Sequence, residues 1–330
     1  MTFKYHYYPS MTKPTLSIII PMREGVEASW LQEILKIQGS AEFILVYPPH
    51  VSFINISDPR LHQITSPLRG ELIQRVTALL NASGKYVLSI NCDEYLHPNI
   101  IEIAEDYFSN FPDSYFCRLN QVGFPFGKAP IDKSWDSLPN IKDIAVRNQH
   151  NSKNYSSEEI PYMMREIPIA PLNNKLNFLA VFWGRKDQHG PHHENFDKKV
   201  WKNEVVQETL KVIVPNFTLF GPFKYIPFWT ADRLMGLCVQ ARFFDPEKIV
   251  GHWLPLPEQL RTEDNPPNQP RKNRRYVLAE IMLLRQFPNF GYFWNLTVFD
   301  RGGIFMVWFP RDTLRKFAEK LGLKKSNVSD

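Results

Sequence analysis

The sequence predicts an α/β protein built on a mainly parallel sheet with helices on both faces, followed by a mostly helical C-terminal extension. Two observations carry the sheet. Short runs of β-branched and aliphatic residues recur between residues 15 and 110, each bounded by proline, glycine or acidic residues. Between them lie segments whose apolar residues fall at helical spacing, as crossovers between parallel strands require.

Leu16–Pro21 reads as a buried strand closed by proline, and Trp30–Ile37 as a helix carrying Leu31, Ile34, Leu35 and Ile37 and stopped by Gly39. Phe43–Tyr47 is a second strand, ended by Pro48-Pro49, and Leu61–Thr65 a third. Leu72, Ile73, Val76, Leu79 and Leu80 form one face of the next helix, with Gly84 as its stop signal. Tyr86–Ile90 is a fourth strand running into Asn91-Cys92-Asp93-Glu94, and the helix Ile100–Phe108 follows. Residues 120–176 are rich in Pro, Asn and Ser and read as a long irregular segment. Beyond it, Leu176–Trp183 resembles a strand, Val200–Val214 mixes helix and strand signals, and Arg233–Phe244 looks helical. Pro255–Arg275 is linker-like, and Tyr276–Phe287 and Thr313–Leu321 are expected helices. The expected division is a domain over 1–254 (donor half about 15–115, acceptor half about 116–254), a linker over 255–275 and an extension over 276–330.

Composition narrows the function classes. No stretch reaches about 18 consecutive uncharged apolar residues, which excludes a conventional membrane-spanning helix. Met1–Pro14 has no apolar core of signal-peptide length, and Cys92, Cys117 and Cys238 are too widely spaced for zinc or a disulfide framework. A cytoplasmic location is therefore expected. Residues 1–254 balance 26 Lys/Arg against 26 Asp/Glu, whereas residues 255–330 hold 13 against 8, so the whole net charge of +5 sits in the last quarter. That partition argues against nucleic acid as partner. The segment 287–309 concentrates Phe290, Tyr292, Phe293, Trp294, Phe299, Phe305, Trp308 and Phe309, and Arg311, Arg315, Lys316, Lys320, Lys324 and Lys325 follow. Aromatics beside a basic helix suit a peripheral membrane contact, with core packing plus a solvated tail as the competing reading.

Ligands of open parallel sheets bind beyond the carboxyl ends of the strands. That rule puts Pro21–Glu24 and Asn91–Glu94 on one rim. Adjacent acids on a short turn after a buried strand suit a magnesium or manganese ion, which needs only one or two protein oxygens and takes the rest from phosphate and water. No G-x-x-x-x-G-K-[ST] or G-x-G-x-x-G motif is present, which argues against P-loop and dinucleotide chemistry.

Residues 15–110 carry an ordered set: a strand ending in Pro21, then Gly70, Arg75, Ala82, Gly84, Tyr86, the acidic segment Asn91-Cys92-Asp93, and Pro98. In this the chain resembles the family-two GT-A glycosyltransferases. The resemblance implies a GT-A type sheet and transfer of a sugar, with inversion, from a nucleotide-diphosphate donor to a saccharide or lipid-linked acceptor. It implies a divalent metal (Mn or Mg) on Asp93 with Glu94 beside it. Donor contacts would come from Pro21, Arg23, Glu24, Tyr47, Gly70, Arg75 and Asn91. Two positions depart from the pattern. Asn91 replaces the first aspartate of the D-x-D motif, and Tyr47-Pro48-Pro49 stands where an acidic pair reads the base. A degenerate, non-catalytic domain that binds a sugar nucleotide or glycan is the alternative.

An inverting transferase also needs a general base. The segment His189–Phe196 looks like the Gly-x-x-His-Glu segment of part of the family, which assigns Glu194 as base with His193 orienting it or contacting the diphosphate. A polar turn with incidental histidines is the competing reading. Asp232 is the second candidate, with helix capping as its competing role.

Overall fold

The computed structural model describes residues 13–128, 130–148, 151, 154–217, 228–263 and 278–299. The chain divides into two compact units, Met1–Ala170 with Pro191–Tyr276, and Pro171–Gly190 with Val277–Asp330.

The first unit begins with β1 (Leu16–Pro21), α1 (Ala28–Ile34), β2 (Ala41–Tyr47), β3 (Leu61–Thr65), α2 (Glu71–Asn81) and β4 (Tyr86–Ser89). β1 lies between β2 and β4, and β2 pairs β3, all parallel. All residues of β1, β2 and β4 are buried because both faces of this half of the sheet are covered. Leu16, Ile18, Ile20, Phe43 and Leu45 pack with Trp30, Leu31 and Ile34 of α1 on one face. α2 packs on β1 and β2, and its Gln74 amide donates to the carbonyls of Met22 and Val46, both at 2.7 Å.

Next come β5 (Glu94–Leu96), α3 (Ile100–Asn110), β6 (Phe116–Arg118), β7 (Gln121–Phe124), β8 (Val146–Arg147) and β9 (Met164–Pro168). α4 (Ala180–Trp183) belongs to the second unit; the first resumes with β10 (Lys199–Lys202), α5 (Asn203–Phe217), α6 (Phe228–Arg242), β11 (Ile249–Trp253) and β12 (Leu260–Glu263). Among the described residues the main sheet has nine strands in the order β3-β2-β1-β4-β10-β6-β11-β9-β8. β10 runs antiparallel to both β4 and β6. β11 is parallel to β6 and antiparallel to β9, which is parallel to β8. The carboxyl ends of β1, β4, β6 and β11 therefore share one rim. β5, β12 and β7 form a smaller sheet.

The second unit holds α4, α7 (Leu278–Gln286) and α8 (Gly291–Thr297). Its centre is a buried Arg185–Asp187 ion pair at 2.8 Å, with Asn295 donating to Asp187 at 2.9 Å and Arg185 set over the Tyr292 ring. Tyr292 and Phe293 are buried in the core of this unit, whereas Trp294 is exposed.

Several sequence expectations are corrected. Leu176–Trp183 is not a strand: the Asn177 side chain accepts from the Leu179 amide at 3.0 Å and starts the single turn of α4, leaving Phe178, Leu179, Phe182 and Trp183 exposed. The mixed signal after Lys199 is a strand followed at once by a helix, β10 then α5. The linker-like segment contains β12, paired with β5 and β7, where buried Arg261 donates to Glu258 and to the carbonyls of Pro130, Lys133 and Ser134. Its remainder from residue 264, the basic segment and the expected helix Thr313–Leu321 lie outside the described residues.

Gly84 does not cap α2, which ends on extended Ala82. It is a point of close approach: its amide donates to Ser17 Oγ at 2.8 Å and to the buried Glu42 carboxylate at 3.1 Å, and an added Cβ would lie 2.6 Å from Ser17 Oγ and 2.7 Å from the Ser17 amide nitrogen. Gly84→Ala is expected to destabilise the fold by about 1–3 kcal/mol through overpacking, read as a lower midpoint in urea denaturation.

Candidate active site

The turn after β4 is held from behind. Arg75 on α2 is buried, and its guanidinium donates to Ser89 Oγ, to Glu71 Oε1 at 3.1 Å and to Asn91 Oδ1 at 2.5 Å. Burial pulls Arg75 down from the usual arginine range, with Glu71 acting against that pull. Asn91 then uses its other end: its Nδ2 donates to Glu94 Oε1 at 3.2 Å and its backbone amide to Glu94 Oε2 at 2.8 Å. Glu94 is 3% exposed, burial raises its carboxyl, and its carbonyl accepts from Trp30 Nε1 at 3.0 Å. An amide at position 91 can accept from Arg75 and donate to Glu94 at once; a carboxylate can only accept.

This geometry decides what each acid can offer. Glu94 is turned inward and spent on the turn, so it does not fit the expected place beside Asp93 as a ligand. Asp93 faces outward, 44% exposed, with Arg23 Nη2 3.2 Å from its Oδ2. Among the described residues no three His, Cys, Asp or Glu side chains converge as a metal cage. A divalent ion that draws most ligands from a diphosphate and water needs few protein oxygens, and Asp93 is the carboxylate that the turn after β4 leaves outward.

The other predicted donor contacts separate into two groups. Pro21 ends β1, and Arg23 and Glu24 are exposed just beyond it on the rim. Gly70 precedes α2 with φ of 141°, a backbone state suited to glycine, and its carbonyl accepts from the Gln74 amide. Tyr47 cannot stack on a base, because it is 1% exposed; its hydroxyl donates to Gln63 at 2.7 Å and its ring packs against Phe53. Arg75 is likewise a buried clamp on the turn and not a surface contact for phosphate.

A second cluster forms around residues 193–199. His193 does not sit in a polar turn: Arg118 donates to its ring, and Arg165 Nη2 approaches its Nε2 at 2.7 Å. Burial, then Arg118, Lys199 and Arg165, push its pKa down to about 2. Glu194 Oε2 pairs with Arg233 Nε at 3.2 Å. Asp232 is buried inside α6 rather than at its cap position, and its Oδ1 accepts the Phe196 and Asp197 amides, both at 2.6 Å. Burial first, then the Asp197 charge, raises the Asp232 carboxyl, and Lys199 opposes the rise. Lys199 is buried and donates to the Asn195 carbonyl; burial and Arg118 lower its pKa. Gly236 on α6 permits this packing, since a Cβ there would sit 2.1 Å from the Glu194 carbonyl oxygen.

Sequence reading missed Asp197, Lys199, Arg118, Arg165 and Trp253. Asp197 is half-buried, lies beside Asp232, and its charge also acts on Glu94, so it stands between the acidic turn and α6. Its only signal in the sequence is proximity to His193-Glu194. The others are brought together by strand register alone.

No protein-family model matches the chain, and no curated protein matches it in sequence. Among solved structures, S. aureus TarS 1–349 in complex with UDP is similar at 11% identity and a TM-score of 0.45, over 84% of this chain and 66% of that one. TarS 1–349 in complex with UDP-GlcNAc gives 11% and 0.44 over 82% and 67%, and S. aureus TarS gives 12% and 0.42 over 82% and 40%. This chain spans less than two thirds of the first of these.

Replacing the two adjacent acids separates their roles. Glu94→Ala leaves both half-buried Asn91 amide groups without their acceptor and is expected to cost about 1–3 kcal/mol in chemical denaturation. Asp93→Ala removes only an exposed ion pair and should stay within about 1 kcal/mol of wild type. For His193, ring proton resonances followed by NMR should show no titration between about pH 5 and pH 8, where an unperturbed histidine changes charge.

Proposed function

We propose that the chain is a glycosyltransferase moving a sugar, with inversion, from a nucleotide-diphosphate donor to a saccharide or lipid-linked acceptor. The observation that carries this reading is the Asn91–Glu94 turn: Arg75 and Glu94 lock it from behind, so that Asp93 alone faces outward on the rim shared with Arg23 and Glu24. Asp93 would hold manganese or magnesium, which when bound offsets charge on a departing diphosphate.

The acceptor oxygen forms its bond to the anomeric carbon as the bond from that carbon to the diphosphate breaks, and the acceptor proton passes to a carboxylate. Asp197 suits that role best. It is half-buried and reachable, and its amide is fixed on Asp232, which holds the 196–197 backbone in place. Asp232 is itself too buried to meet an acceptor, and Glu194 is engaged by Arg233. We infer a cytoplasmic location, with membrane contact at the periphery where the acceptor is lipid-linked. Cys92, Cys117 and Cys238 are buried and unpaired, which suits a reducing compartment.

A non-catalytic domain that binds a sugar nucleotide is the second reading. It is favoured by the use of Asn91 and Glu94 within the turn, which leaves one outward carboxylate. Hydrolysis and transfer assays with UDP-, GDP-, CMP- and dTDP-sugars, each with and without manganese, decide between them. Turnover of one donor class, dependent on metal and reduced by about 100-fold or more in Asp93→Ala and in Asp197→Asn, is expected. Binding without turnover establishes the second reading, and no binding of any sugar nucleotide overturns both.

A further inference from the structure

Cross-strand register lines up an unusual row at the rim. Lys199 on β10 pairs with Arg118 on β6, Arg118 with Trp253 on β11, Trp253 with Arg165 on β9, and Arg165 with Arg147 on β8. Residues in register project to the same face of a sheet. The row therefore reads cation, cation, aromatic, cation, cation across five adjacent strands. Like charges on neighbouring positions destabilise a sheet, so such a row needs an explanation.

Trp253 accounts for part of it. The guanidinium carbons of Arg118 and Arg165 lie 4.0 and 4.5 Å from its ring centroid, and the His193 ring meets it edge-on at 5.3 Å. The remaining charge is not balanced at contact range. Among the described residues no carboxylate forms an ion pair with Arg118, Arg147 or Arg165. The Nε of each is buried without a hydrogen-bond partner. Asp197 and Asp232 act on Arg118 through space, whereas burial, Arg147 and Arg118 all press on Arg165 and bring it down to about 10. Donors are also in surplus at His193: both ring nitrogens face guanidinium groups, yet a neutral imidazole accepts at only one.

We propose that Arg118, Arg165 and Arg147, with His193 between the first two, form a binding site for a phosphate group. The planar guanidinium fork matches phosphate oxygens in pairs, and such a ligand supplies the acceptors and negative charge the row lacks. The phosphate comes either from the diphosphate of a nucleotide or from a second ligand that carries its own phosphate. The site rests on the row itself and holds whether or not sugar transfer occurs.

The test is thermal unfolding and calorimetric titration of the full chain with inorganic phosphate and pyrophosphate, at ionic strength held constant with potassium chloride. The wild type should show a saturable rise in Tm. Arg165→Gln and Arg147→Gln should each weaken phosphate binding about 10-fold or more, the loss expected for a charge-assisted contact. Arg69→Gln, at an exposed position away from the row, should leave it unchanged. Arg147 lies on the two-residue edge strand β8, so its variant keeps the test open if Arg165→Gln does not fold. Absence of a phosphate-specific rise in wild type, or its survival in the folded row variants, overturns the proposal. UDP and GDP locate the source. Loss of nucleotide binding together with phosphate binding in the row variants assigns the site to a nucleotide diphosphate. Retained nucleotide binding with phosphate binding lost assigns it to a second, phosphorylated ligand. If no nucleotide binds at all, the transferase reading fails while the phosphate result stands by itself.

Discussion

The architecture depends on β10, the strand that runs against its neighbours. Val200 and Trp201 are fully buried between β4 and β6, and their ladder bonds join the parallel first half of the sheet to the second. Because β10 is antiparallel to both, β4 and β6 end on the same rim while β10 starts there. Its first residue, Lys199, and the loop before it are thus delivered beside the turn that follows β4. α5 begins directly after β10, where the buried Asn203 side chain donates to the carbonyls of Ala82 and Gly84 and fixes the opposite end of the strand.

At the rim, order comes from polar groups that satisfy one another. Arg75, Asn91 and Glu94 form a chain in which the Arg75 Nη1 and Nη2 groups and both Asn91 amides meet acceptors, as buried polar groups generally must. The consequence is selective: the chain consumes one acid of the adjacent pair and leaves the other facing solvent. A carboxylate in place of Asn91 would add a second negative charge against buried Glu94. The amide is therefore a structural solution for this turn, whatever it means for metal affinity.

The opposite balance holds further along the rim. There the sheet collects cations faster than it collects carboxylates, and aromatic stacking on Trp253 is the main compensation among the described residues. Asp197 and Asp232 sit where the two regimes meet, close enough to Lys199 and Arg118 for their charges to interact. A ligand crossing this boundary would meet an exposed carboxylate at one end and guanidinium groups at the other.

Local pattern alone sufficed for the first half of the sheet. Leu16–Pro21 and Leu61–Thr65 are strands at the limits their apolar runs suggest, and the rim placement of Asn91–Glu94 follows from strand and helix alternation. Nearest-neighbour signals also placed α3 within two residues of its ends, and α6 within two at its carboxyl end but five late at its start. Tertiary structure decided the orientation of side chains. Arg75 sits at a matching motif position and Tyr47 at a departing one, yet both point into the core, a choice made by burial and by partners 14 to 16 residues away. The cationic row could not be read from the chain, because its members lie on five strands separated by long connections and meet only through register. Sequence determines which residues alternate or repeat; only the assembled sheet determines which of them stand side by side.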